Sequence, residues 1–179
     1  MAGAPTALLV IDVQEEALEG CHDAEGTVTR INDVSRRMAE AGAPVIYIQH
    51  EDDGELVRES PGWQLAAGLE RPDEPVRLAK TFRDGFEATD LQGMLEREGI
   101  RRVVITGVHS DFCVQTTALS ALIRGFDLVL VSDGHTARTS PETSELSGEA
   151  LRQLVNARMA TLRYPGRTIE VVRAAELSL

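Results

Sequence analysis

Three side chains in this 179-residue chain stand where they could act together. Asp12 ends the apolar run Leu8-Leu9-Val10-Ile11, and Lys80 ends Val76-Arg77-Leu78-Ala79. Cys113 follows the run Val103-Val104-Ile105-Thr106 after the short turn from Gly107 to Asp111. Cys113 also opens a helical pattern, Cys113 to Ile123. The first N–H groups of a helix are unpaired and its dipole is positive there, so this placement predicts a lowered thiol pKa and a nucleophile. A carboxylate and an ammonium group at the same rim would add proton transfer and charge stabilisation. Taken singly, each residue also has a plainer reading. Buried free cysteines are usually inert, a strand-end Asp often caps a turn, and a Lys there is usually solvated.

The elements that must position these residues alternate between strand and helix patterns. Short β-branched runs are expected as strands at Ala7 to Val13, Val45 to Gln49, Val76 to Ala79, Arg102 to Thr106, Asp127 to Ser132 and Thr168 to Val172. Between them, Val28, Ile31, Val34, Met38 and Ala41 recur at helical spacing up to Gly42. A capping pattern, Thr89-Asp90-Leu91-Gln92, opens a helix closed by Gly99; another helix runs from Cys113 to Gly125, and a last one carries Leu151, Leu154, Val155, Met159 and Leu162. The alternation predicts a single α/β domain over residues 1–179, with a parallel sheet of about six strands covered on both faces by crossover helices. In such a sheet ligands bind beyond the carboxyl ends of the strands, where all three candidates lie.

Composition narrows the partners. A net charge of -11 and a pI near 4.8 would repel a phosphate backbone or an anionic bilayer, so neither nucleic acid nor membrane is expected. The apolar runs are much shorter than the roughly 20 residues of a spanning helix, and the start Met1-Ala-Gly-Ala-Pro5 lacks a signal-type core, so a cytoplasmic protein is expected. Cys21 and Cys113 form no CxxC or zinc-finger spacing and are expected as thiols. No GKS or GKT phosphate loop and no GxGxxG fingerprint occurs. A cysteine phosphatase would need Arg six positions after its nucleophile, and position 119 is Leu; a Cys-His dyad would have only His109 or His135 as base.

Taken in order, the stretches Leu8-Leu-Val-Ile-Asp12-Val-Gln14, Leu78-Ala-Lys80-Thr-Phe-Arg-Asp-Gly-Phe86 and Ile105-Thr-Gly107-Val-His-Ser-Asp-Phe-Cys113-Val-Gln-Thr-Thr-Ala118, followed by Gly125 and Val131-Ser-Asp133, resemble the isochorismatase-like cysteine hydrolases over nearly the whole chain. The resemblance implies a three-layer α/β/α, Rossmann-like fold and a catalytic triad of Asp12, Lys80 and Cys113. It implies that Asp12 is the base, Lys80 the charge stabiliser and Cys113 the nucleophile of an amide or other C–N hydrolysis that passes through a thioester. It further implies a cis peptide at Val108–His109, an oxyanion held by the backbone N–H groups of His109 and Cys113, no organic cofactor, and a homo-oligomer, dimer or larger, acting on a small molecule.

Within that family, members acting on the vinyl ether of isochorismate lack the cysteine, so Cys113 argues against that reaction. Nicotinamidase-type members carry an Asp-x-His and a further His after strand two as a metal site; here the stretch reads Gln49-His50-Glu51-Asp52-Asp53, which is expected to be a solvated acidic turn without metal. The aromatic residue frequent after Gln14 is replaced by Glu15-Glu16-Ala17-Leu18, which disfavours an aromatic substrate. Gln14 and Trp63 are the candidates for substrate binding: Gln14 to position Asp12 or the substrate, Trp63 to close over the pocket as part of a lid or to join a subunit contact, in the long polar stretch from His50 to Pro75. A non-catalytic binding scaffold and a metal-bearing nicotinamidase-type amidase stand as the alternatives.

Overall fold

The computed structural model describes residues 4–139 and 145–178. Met1 to Gly3, where the missing signal core was read, lie outside them. Six strands form one all-parallel sheet: β1 (Thr6–Ile11), β2 (Val45–His50), β3 (Val76–Lys80), β4 (Arg102–Val108), β5 (Asp127–Thr136) and β6 (Ile169–Val172). Their spatial order is β3-β2-β1-β4-β5-β6. The chain builds outward from β1 to β3, returns to the middle at β4, and builds outward again. The order therefore reverses between β1 and β4, and in such sheets ligands bind beyond the carboxyl ends of the pair at that reversal.

Every central strand is apolar on both faces, because each face carries a layer. On one side Leu9, Ile11, Val103, Ile105, Leu128 and Leu130 pack with helices α3 (Leu91–Arg97), α4 (Gln115–Ile123) and α5 (Gly148–Thr161). On the other, Leu8, Val10, Val104, Val129 and Val131 pack with Val28, Ile31, Val34 and Met38 of α2 (Ala24–Glu40) and with Ala174 and Leu177 near the carboxyl end. The architecture is the expected three-layer α/β/α sandwich. A short α1 (Glu15–Leu18) follows β1 directly.

Three departures from the expected elements bear on the site. Cys113 does not open an α-helix: it lies inside a π-helical turn, Ser110–Val114, that leads into α4. β5 runs on past Ser132 to Thr136, with a register shift that brings His135 opposite Gly107. The helix expected from Thr89 begins at Leu91, whose N–H donates to the Thr89 hydroxyl at 3.3 Å. The Val108–His109 peptide is cis, as the resemblance implied.

Candidate active site

This end of the sheet is shaped first by backbone. Asp12 leaves β1 with φ 50°, in the left-handed region where Asp and Asn are the tolerated non-glycine residues. Its N–H is held by Ile48 O at 2.8 Å. Beside it, Gly107 pairs with Ile11 and has φ 124°; a Cβ there would lie 2.0 Å from Ile11 O. Only glycine lets β1 and β4 approach this closely just before Asp12 and the nucleophile turn.

Lys80 ends the edge strand β3, two strands from β1, a separation of roughly 10 Å. Its long side chain crosses the end of β2 to reach the centre. The Lys80 ammonium donates to Asp12 Oδ2 at 2.8 Å and to Cys113 Sγ at 3.4 Å, and lies 3.2 Å from His50 Nδ1. Three acceptors thus match its three protons. The group is closed off from water: Asp12 is 3%, Lys80 2% and Cys113 9% exposed. Such a buried pair is poor evidence of stabilisation, because desolvation offsets the attraction, so its placement at the strand-order reversal points to chemistry.

The electrostatics reverse one expectation. A helix start was expected to lower the Cys113 pKa. Instead burial first, and then the negative charge of Asp12, push it up to about 12, against the weaker pull of Lys80. Cys113 therefore rests as a thiol. Burial also raises Cys21 to about 12, so the two cysteines differ in their neighbours rather than in resting acidity. Asp12 Oδ1 is buried without a hydrogen-bond partner, which leaves an open acceptor beside the thiol.

The other candidates fall differently. Gln14 is fully buried, and both amide ends are engaged: Nε2 donates to His50 O at 3.0 Å and to Trp63 O at 2.8 Å, while Oε1 accepts from His50 N–H at 2.8 Å. It braces the His50 and Trp63 backbones, and both of its amide protons are taken by their carbonyls. Trp63 is half-buried in the long loop, tied by its carbonyl to Gln14 and also to Gln49 at 3.0 Å, with its indole N–H buried and unpartnered. His109 sits beside the cis bond, its ring edge-on to Phe112 and its Nε2 buried without a partner. Burial, then Arg138, lowers its pKa. Arg83 lies over the other aromatic contact, 3.9 Å from the Phe112 ring centre.

From sequence, His50 reads only as a candidate metal ligand. In the fold it is opposite Lys80 in register and shares a proton contact with it, and burial and Lys80 lower its pKa, so its Nδ1 lone pair faces the ammonium. The available signal was its place at the end of β2, between the strands that carry Asp12 and Lys80. Among the described residues no cluster of three His, Cys, Asp or Glu side chains could hold a metal ion, and no helix is long and apolar enough to cross a membrane. A hollow of about 440 Å³ lined by Glu51, Asp52, Asp53, Val57, Arg58 and Thr81 adjoins the Lys80 end of the site.

Residues 6–162 match the model of the Isochorismatase domain. A streptothricin hydrolase of Streptomyces noursei is 34% identical over 146 residues, 79% of this chain and 58% of that protein. The chain thus spans a little over half the length of this relative and of a second streptothricin hydrolase from the same organism. Nicotinamidase 3 of Arabidopsis thaliana is 30% identical over 162 residues, covering 78% of this chain and 76% of its own. Among solved structures, an isochorismatase of Pseudomonas putida superposes with a TM-score of 0.85 at 24% identity over 97% of this chain and 90% of its own, a likeness of fold.

Proposed function

Because the chain belongs to the isochorismatase family, we propose that it is a hydrolase that cleaves a C–N bond of a small amide, carbamoyl or lactam compound through a thioester on Cys113. One observation carries this reading: a buried ammonium, Lys80, touches both Asp12 and Cys113 where the strand order reverses.

The steps follow from the placement of the protons. Asp12 Oδ1, free of other bonds, takes the thiol proton as sulfur attacks the carbonyl carbon. Lys80 holds Asp12 in place and offsets the anionic charge that develops on sulfur. The backbone N–H groups of His109 and Cys113 are the proposed donors to the tetrahedral oxyanion; fixed donors of this kind contribute about 3 kcal/mol of barrier lowering. The protonated Asp12 returns its proton to the leaving nitrogen as the C–N bond breaks. Water, deprotonated by Asp12, then attacks the thioester, releasing the acid and restoring the thiol. Trp63, with its unpartnered indole N–H, is the proposed substrate contact from the long loop. The same reading carries a homo-oligomer, dimer or larger, in the cytoplasm.

The test is a panel of small amides, with nicotinamide and streptothricin included because relatives carry those names, read as ammonia or amine release by the wild-type protein and by Cys113→Ala. Turnover lost in the variant supports the reading. A tightly held ligand with no turnover would favour a binding scaffold instead.

A further inference from the structure

Behind the nucleophile turn lies a second buried chain of polar side chains that the chemistry above does not use. Ser110, the first residue of the π-helical turn, is fully buried with its Oγ 2.8 Å from His135 Nδ1. His135, on the extended end of β5, is also fully buried, and its Nε2 lies 2.9 Å from Asn156 Oδ1 on α5. Asn156 Nδ2 donates to Ser132 O at 2.9 Å.

These contacts settle which atom holds each proton. The bond to the Ser132 carbonyl fixes the Asn156 amide with its oxygen toward His135. That oxygen only accepts, so His135 Nε2 must carry the proton. Nδ1 is then a bare lone pair, and the Ser110 hydroxyl must donate to it. Burial lowers the His135 pKa to about 4, so the ring stays neutral and the arrangement persists. Arg152 of α5 and Asp133 of β5 are the charged groups that act on the ring, with opposite signs. Ser110 has the neighbours of a serine nucleophile, yet it is 0% exposed, so no substrate can reach it.

We propose that the Ser110–His135–Asn156 chain is a positioning device that locks the π-helical turn, and with it Cys113 and the proposed oxyanion donors, against β5 and α5. The Lys80 ammonium donates to Cys113 Sγ in the turn at 3.4 Å, a distance that a small rotation of the turn would lengthen. Misplacement of this order costs up to about 100-fold in rate.

The role in turnover rests on the proposed hydrolase reading, but the proton assignment does not, so the two fail separately. Nitrogen-resolved NMR of wild-type His135 is expected to show a neutral ring protonated at Nε2. In Ser110→Ala the neutral ring loses its donor, so its pKa rises. In Asn156→Ala the ring loses an acceptor that favours protonation, so its pKa falls. General loosening of the fold would instead move both variants upward, toward the ordinary value. On any amide the enzyme turns over, both variants are expected to lower kcat about tenfold or more with KM nearly unchanged. Without a substrate, the rate of Cys113 alkylation by iodoacetamide, read by peptide mass, is expected to change severalfold in Ser110→Ala. A proton on Nδ1, pKa shifts of the same sign in both variants, or kcat and alkylation left at wild-type levels would overturn the proposal.

Discussion

At the residue scale, the site is a competition between one positive and one negative neighbour for a single thiol. Burial and Asp12 hold Cys113 protonated at rest, and Lys80 opposes them. Asp12→Asn separates acidity from catalysis. Asparagine tolerates the left-handed backbone at φ 50°, so the turn is retained, but the negative charge is gone while Lys80 remains. The thiol pKa is therefore expected to fall below its wild-type value, seen as thiolate absorbance and iodoacetamide labelling at lower pH. Turnover is nevertheless expected to drop by about 100-fold or more, because the proposed base is lost. A variant with an unchanged or raised thiol pKa would mean that Asp12 does not govern the nucleophile.

At the level of elements, β1 and β4 place the chemistry and Gly107 is where they nearly touch. In Gly107→Ala the new Cβ meets Ile11 O at 2.0 Å, a backbone atom that no rotamer change can move. The strands must part at the residue before Asp12, and a loss of several kcal/mol is expected in chemical denaturation, with turnover lost in whatever protein still folds. Stability within about 1 kcal/mol of wild type would show that the close approach is dispensable. The placement of Asp12, Lys80 and Cys113 at or just beyond strand ends was legible in sequence, since each follows an apolar run assigned to a strand, although the edge strand β3 is largely exposed. What was hidden is three-dimensional. The π-helical turn packs on β4, β5 and α5, contacts that no local sequence pattern displays. The extension of β5 to Thr136 follows from a register shift that an apolar run ending at Val131 does not announce. That the His50 and Trp63 backbones use both ends of the Gln14 amide is likewise invisible in the sequence. Ser110, His135 and Asn156 lie on three different elements, so no spacing rule connects them.

For the whole molecule, two apolar layers against one parallel sheet leave few places for a polar group to be buried, and His135 is the clearest cost of doing so. Unfolded, its ring takes a proton near pH 6.5; folded, it does not until about 4. The folded pKa is depressed, so the contribution of the neutral ring is complete above about 6.5 and is lost as pH falls through about 4. The difference corresponds to about 3 kcal/mol. His50 and His109 are depressed in the same direction and add to the slope. Denaturation midpoints are thus expected to fall steadily between pH 6.5 and 4, and His135→Gln is expected to flatten that decline; an equal slope in the variant would assign it to other groups. The central claim, that this family member uses Cys113 as a nucleophile, is tested most directly by intact mass spectrometry of the protein quenched during turnover of an amide from the panel. An added acyl mass on Cys113 is expected in the wild type and none in Cys113→Ala, which releases no amine. Amine release by Cys113→Ala at the wild-type rate would contradict it.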